Sequence, residues 1–145
     1  MAKLTLTTGV KTYDIEDENG KLLCKISFNT TDLNMMNRIK QMQENVQEAM
    51  PTIENFQTDD EAFAFLESDI LPQADRKIRD IIDEAFGAKI CDQVFGVTNC
   101  LTPGPDGSIY VERFMDMIAP AIAESYKEAL EASEKRISKY TSQVK

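Results

Sequence analysis

The sequence predicts an α+β fold: a small N-terminal antiparallel β-sheet followed by about five helical segments, the last long and kinked at Pro120. Three observations carry this reading. Alternation of period two is concentrated in the first 28 residues, steps of three and four take over after Asn29, and one long turn-rich loop lies between Val97 and Ser108. The 145 residues fit one domain, with 1–28 as the hairpin region, 29–107 as the helical core and 108–145 as a long C-terminal helix free to protrude.

Leu4, Leu6 and Val10 alternate with Thr and read as strand, and Tyr13 and Ile15 share one side of the next stretch. Asn19-Gly20 predicts the hairpin turn, because both residues tolerate positive φ. Leu22, Cys24, Ile26 and Phe28 form one face of the returning strand. A lone hairpin is marginal in water, so the sheet is expected to rest on the first helix. Asn29 to Asp32 offers N-caps for that helix, and Leu33, Met36, Ile39, Met42, Val46 and Ala49 form its apolar stripe. Pro51 stops it near Met50.

Thr58 to Glu61 reads as a capping box opening a short helix that contains Ala62, Phe63, Phe65 and Leu66, with Leu71-Pro72 as its end. A further helix over Ala74 to Phe86 turns Ile78, Ile81, Ile82, Ala85 and Phe86 inward, and Gly87 suits its C-terminal cap. Ala88 to Phe95 presents Ile90, Cys91, Val94 and Phe95 before Gly96. The last helix starts between Ser108 and Val111 and reaches Gln143. Pro120 is expected to kink or divide it, since proline lacks a donor and crowds the Asp116 carbonyl. Beyond Pro120, Tyr126, Leu130, Ser133, Ile137, Tyr140 and Val144 step by four and three, a heptad-like seam weakened at Ser133.

Composition narrows the function classes. The chain has no His, which removes Ser/His/Asp and Cys/His catalysis and His-ligated metals. Sixteen basic against 25 acidic residues give a net charge of −9, which argues against nucleic acid and anionic membranes as partners. Cys24, Cys91 and Cys100 are an odd, sparse set, unlike a secreted disulfide scaffold. The opening residues lack the apolar run of a signal peptide and no stretch is long enough to span a membrane, so the expected location is cytoplasmic.

No motif carries catalysis, a cofactor or a metal. Asp14, Glu16 and Glu18 before Gly20 loosely follow a calcium loop, but Asn19 and Lys25 stand where Gly and Glu are required, which leaves an acidic hairpin. Asp59, Asp60 and Glu61 suit a helix N-terminus, and Asp80, Asp83 and Glu84 a solvated face. Arg76, Lys77 and Arg79 read as a solvated face or as a docking contact for an acidic peptide. The cysteines have the wrong spacing for a redox pair or zinc knuckle and read as buried free thiols. Seven methionines point instead to an adaptable contact surface. Met36 and Met42 fall on the expected core stripe. Met35 and Met50, off it or at its end, are candidate contact residues, and so are Leu130, Ile137, Tyr140 and Val144 along the C-terminal arm. That arm is expected to meet another copy or a helical client; the alternative is a helix folded back over the sheet.

The segments Ala74 to Gly87 and Ile90 to Gly96, each closing on Phe-Gly, together with Asp17-Glu-Asn-Gly-Lys21 and the closing Arg136 to Tyr140 helix, resemble small proteins from the tail-assembly region of phages and prophages of Gram-positive bacteria. The resemblance implies a non-enzymatic tail assembly chaperone-like protein of the host cytoplasm. Such proteins bind the long helical tape measure protein and keep it soluble while tube subunits assemble around it. It leaves open a structural tail or tail-adaptor subunit and an acidic inhibitor of a host protein. It carries over no catalytic residue.

Overall fold

A computed structural model describes residues 1–52 and 56–142. Strands β1 (Lys11–Glu16) and β2 (Leu22–Phe28) precede helices α1 (Met35–Ala49), α2 (Asp59–Glu67), α3 (Ile70–Phe86), α4 (Cys91–Phe95) and α5 (Tyr110–Ser142). The order is the one the sequence predicts.

The strands pair antiparallel from Lys11 opposite Phe28 to Ile15 opposite Cys24, and a bulge then sets Glu16 opposite Leu22. The Asp17 carboxylate accepts the N–H groups of Asn19 and Lys21, both at 2.9 Å. Gly20 alone of the Asn19-Gly20 pair takes positive φ, at 79°. The bulge leaves Leu22 and Leu23 exposed, so the predicted strand face is buried only at Ile26 and Phe28, with Cys24 half-buried. Residues 1–10 form no strand, and Leu4, Leu6 and Val10 are exposed. Their alternation lacks both a neighbouring ladder and a core to cover, and without these a strand pattern specifies little.

α1 starts two residues later than expected, after the Asp32 carboxylate has accepted the Asn34 N–H at 2.9 Å. The later start leaves Leu33 outside the helix, and packing on α3 sets which side is buried. Met35, Ile39 and Met42 are buried, and Leu33 and Met36 face solvent. Met35, expected as a contact residue, is only 1% exposed and belongs to the core, whereas Met36 is 51% exposed. α1 packs chiefly on α3, and the hairpin rests on α4 instead of the first helix. Aromatic contacts tie the hairpin to α3 as well: Phe28 meets Phe86 edge-on at 5.1 Å, and Tyr13 stacks on Phe28 at 5.5 Å.

α3 begins at Ile70, so Pro72 sits in its first turn instead of ending α2. A first-turn N–H has no intrahelical acceptor, and proline loses nothing there. Ile78 and Ile82 of α3 are fully buried at the centre of the core. The two Phe-Gly pairs act alike. Phe86 and Phe95 both pack on Phe114 of α5, at 6.1 and 5.8 Å, while Gly87 and Gly96 end their helices at φ of 69° and 59°.

α5 runs unbroken for 33 residues through Pro120, so the proline does not divide it. Val111, Phe114, Ile118, Ile122 and Ser125 form its buried stripe, and Tyr126 is partly buried. From Leu130 to Lys139 every residue is exposed. The helix leaves the core and does not fold back over the sheet.

Candidate protein-contact groove

The turn-rich segment after α4 is fixed by side chains of α3. Arg79 donates from Nε to Asp75 at 3.0 Å, from Nη1 to Asp92 at 3.0 Å and the Gly96 carbonyl at 2.9 Å, and from Nη2 to the Thr98 carbonyl at 2.6 Å. Its guanidinium also lies 5.6 Å from the Phe95 ring centre. The Asp75 carboxylate accepts the Cys100 N–H at 2.8 Å, and Asn99 Nδ2 donates to the Leu71 carbonyl at 3.1 Å. The first N–H groups of α5, of Tyr110 and Val111, donate to the carbonyls of Thr102 and Cys100 at 2.9 and 2.8 Å. This collar places Leu101, Pro103 and Ile109 opposite the end of α1 and the inner side of α2.

Two apolar basins result. One, of about 380 Å³, lies between α1 and α5 and is lined by Met42, Val46, Met50, Ile109, Val111 and Met115. The other, of about 410 Å³, is lined by Phe56, Phe65, Leu66, Leu71, Leu101 and Pro103. Met50 and Ile109 line both, so the basins abut at these two residues and together form one apolar tract, the groove. α2 stands at its edge, capped by Thr58, whose Oγ1 accepts the Glu61 N–H at 3.2 Å. The Glu61 carboxylate reaches back not to Thr58 but to the N–H of Gln57 before it, at 3.0 Å, so only half of the expected capping box forms. None of the nine α2 residues is buried, and Phe63 and Leu66 are 62% and 60% exposed. Large apolar side chains left open along a groove mark an interaction surface.

The helices beside the groove are acidic: α1 from Gln41 onward and α2 together hold six exposed acidic residues and no Lys or Arg, although none of the six lines a basin. Glu112 and Asp116 add two carboxylates on the α5 side. Burial pushes the Asp75 carboxyl upward, but the Cys100 N–H and Arg79 outweigh it and hold it below the usual carboxylate range.

Of the predicted contact residues, Met50 lies at the junction of the basins. Met35 is in the core, and Leu130 and Ile137 are exposed on the arm, away from the groove. The side chain of Tyr140 and all of Val144 lie outside the described residues. Met42, expected as plain core, also lines the groove, as does Met115. Phe65 and Leu66 of the short second helix were legible as apolar content but not as a groove wall. Their signal is a capped nine-residue helix with too many large side chains for its length.

Arg79 is committed to the collar, while Arg76 and Lys77 are exposed. The Asp83 carboxylate accepts the Ile90 and Cys91 N–H groups at 3.0 and 2.9 Å and so holds the start of α4. Cys91 and Cys100 are buried free thiols, as expected, and burial pushes both upward, Cys100 to about 12. Among the described residues no group of three His, Cys, Asp or Glu is placed to hold a metal ion, and no helix is long and apolar enough to cross a membrane. Comparison with known protein families, curated proteins and solved structures gives no match.

Proposed function

We propose that the chain is a non-enzymatic assembly chaperone of the phage-tail type, holding an apolar helix of a client such as the tape measure protein in the groove between α1, α2 and α5. The observation that carries the reading is the groove lined by Met42, Met50 and Met115 and continued by Phe65 and the exposed Leu66 of α2. Unbranched thioethers repack around differing side chains, which suits a protein that must hold successive stretches of one long helical client. Two joined basins match the way an amphipathic helix presents anchors one or two turns apart. The acidic helices beside the groove favour a client helix with Lys or Arg beside its apolar face, and the net charge of −9 helps keep the complex soluble.

Fluorescence anisotropy with a labelled 20-residue helical peptide from a tape measure protein tests this, using the Ile137→Asp chain. Binding is expected to weaken at least ~10-fold on Leu66→Lys, equal to about 1.4 kcal/mol, and to vanish for a scrambled peptide. Equal binding by the scrambled peptide contradicts the reading. Stoichiometric recovery of the chain from mature particles by mass spectrometry favours a structural tail subunit instead.

A further inference from the structure

We infer that the groove also takes the C-terminal arm of α5 from a second copy of this chain, so that free protein stores its apolar surface by self-association. Leu130 and Ile137, 57% and 63% exposed, are seven residues apart and share one face of the arm. Two exposed apolar side chains one heptad apart are the anchors by which a helix seats in an apolar groove.

Charge identifies which groove. Lys135 and Arg136 precede Ile137, and α5 from Lys135 to its end at Ser142 has no acidic residue, whereas Glu128, Glu131 and Glu134 flank Leu130. The stretches of α1 from Gln41 onward and of α2 beside the groove are the reverse of that tip, with six acidic residues and no basic one, and Glu112 and Asp116 line the groove's α5 side. A basic helix tip carrying Ile137 is therefore complementary to an apolar groove flanked by acidic helices.

Geometry excludes the chain's own arm. α5 starts beside the groove at Tyr110 and is continuous, so Leu130 lies about 30 Å along the helix from Tyr110 at 1.5 Å per residue. An unbroken helix cannot bring that arm back, and a second copy must supply it. Reciprocal exchange of two arms closes a dimer, in which each arm fills the other copy's groove. A client helix then competes with the arm for the same surface. Self-association does not depend on the client reading, because it needs no other protein.

Sedimentation velocity on the full chain is the test, with circular dichroism to verify folding. The wild type is expected to associate reversibly, and more weakly at high salt. Ile137→Asp on the arm and Leu66→Lys in the groove should each give monomers, both changes falling on exposed side chains. Lys135→Glu with Arg136→Glu should act in the same direction without touching the core. A wild type that stays monomeric overturns the inference. So does a Leu66→Lys chain that associates as the wild type does, since arms would then pair with arms. Association that is intact while the peptide fails to bind Ile137→Asp leaves this inference standing and removes only the client reading.

Discussion

Arg79 shows how one side chain can set the shape of a surface it does not line. Its planar fork reaches two carboxylates and two carbonyls, a set that one ammonium group cannot satisfy. Arg79→Ala should cost about 2–4 kcal/mol in urea denaturation, because Asp75 is left half-buried without its cation. Arg79→Lys should recover little of that. The lowered Asp75 pKa fixes a pH dependence. Its stability contribution is complete above the ordinary carboxylate value near ~3.9 and is lost as pH falls through the lower folded value, because the unfolded chain takes the proton first. Wild-type stability should therefore drop below about pH 4, and Asp75→Asn should flatten that part of the curve while lowering stability at pH 7. Thiol labelling under native conditions should modify half-buried Cys24 first, with Cys91 and Cys100 protected until the chain unfolds.

α5 carries an internal penalty in plain view. Pro120 is exposed and removes the hydrogen bond to the Asp116 carbonyl without packing against the core. Pro120→Ala should raise the thermal midpoint, by the equivalent of about 1–3 kcal/mol. An unchanged or lower midpoint would mean that a bend at this point is needed for packing. Element boundaries show where reading from sequence stops. The α1 period was legible, but its buried side was not: Leu33 and Met35 both fit an apolar stripe, and the Asp32 turn leaves Leu33 outside the helix while packing on α3 sets the side that is buried. Pro72 posed a similar ambiguity, since proline after Leu71 is equally consistent with ending one helix or opening the next.

For the molecule as a whole, the hairpin-then-helices order follows from local periodicity, which the chain states clearly after Asn29. The groove does not, because it depends on residues far apart in sequence. Met42, Leu66, Leu101, Ile109 and Met115 come together only when the Arg79 collar folds. The arm lies between these cases: its seam is legible in the sequence, whereas the exposure of α2 that leaves an apolar groove open is not. In the reading proposed above, self-association and client capture are alternative uses of one surface.

The most direct measurement is methyl NMR of the methionines during titration with the tape measure helix, in the Ile137→Asp chain. Met50 and Met115 line the groove, whereas Met36 and Met117 are exposed elsewhere. Saturable shifts at Met50 and Met115, with Met36 and Met117 unmoved, are the expected result. Shifts confined to Met36 or Met117, or no shift at any methionine, would contradict helix capture by this groove.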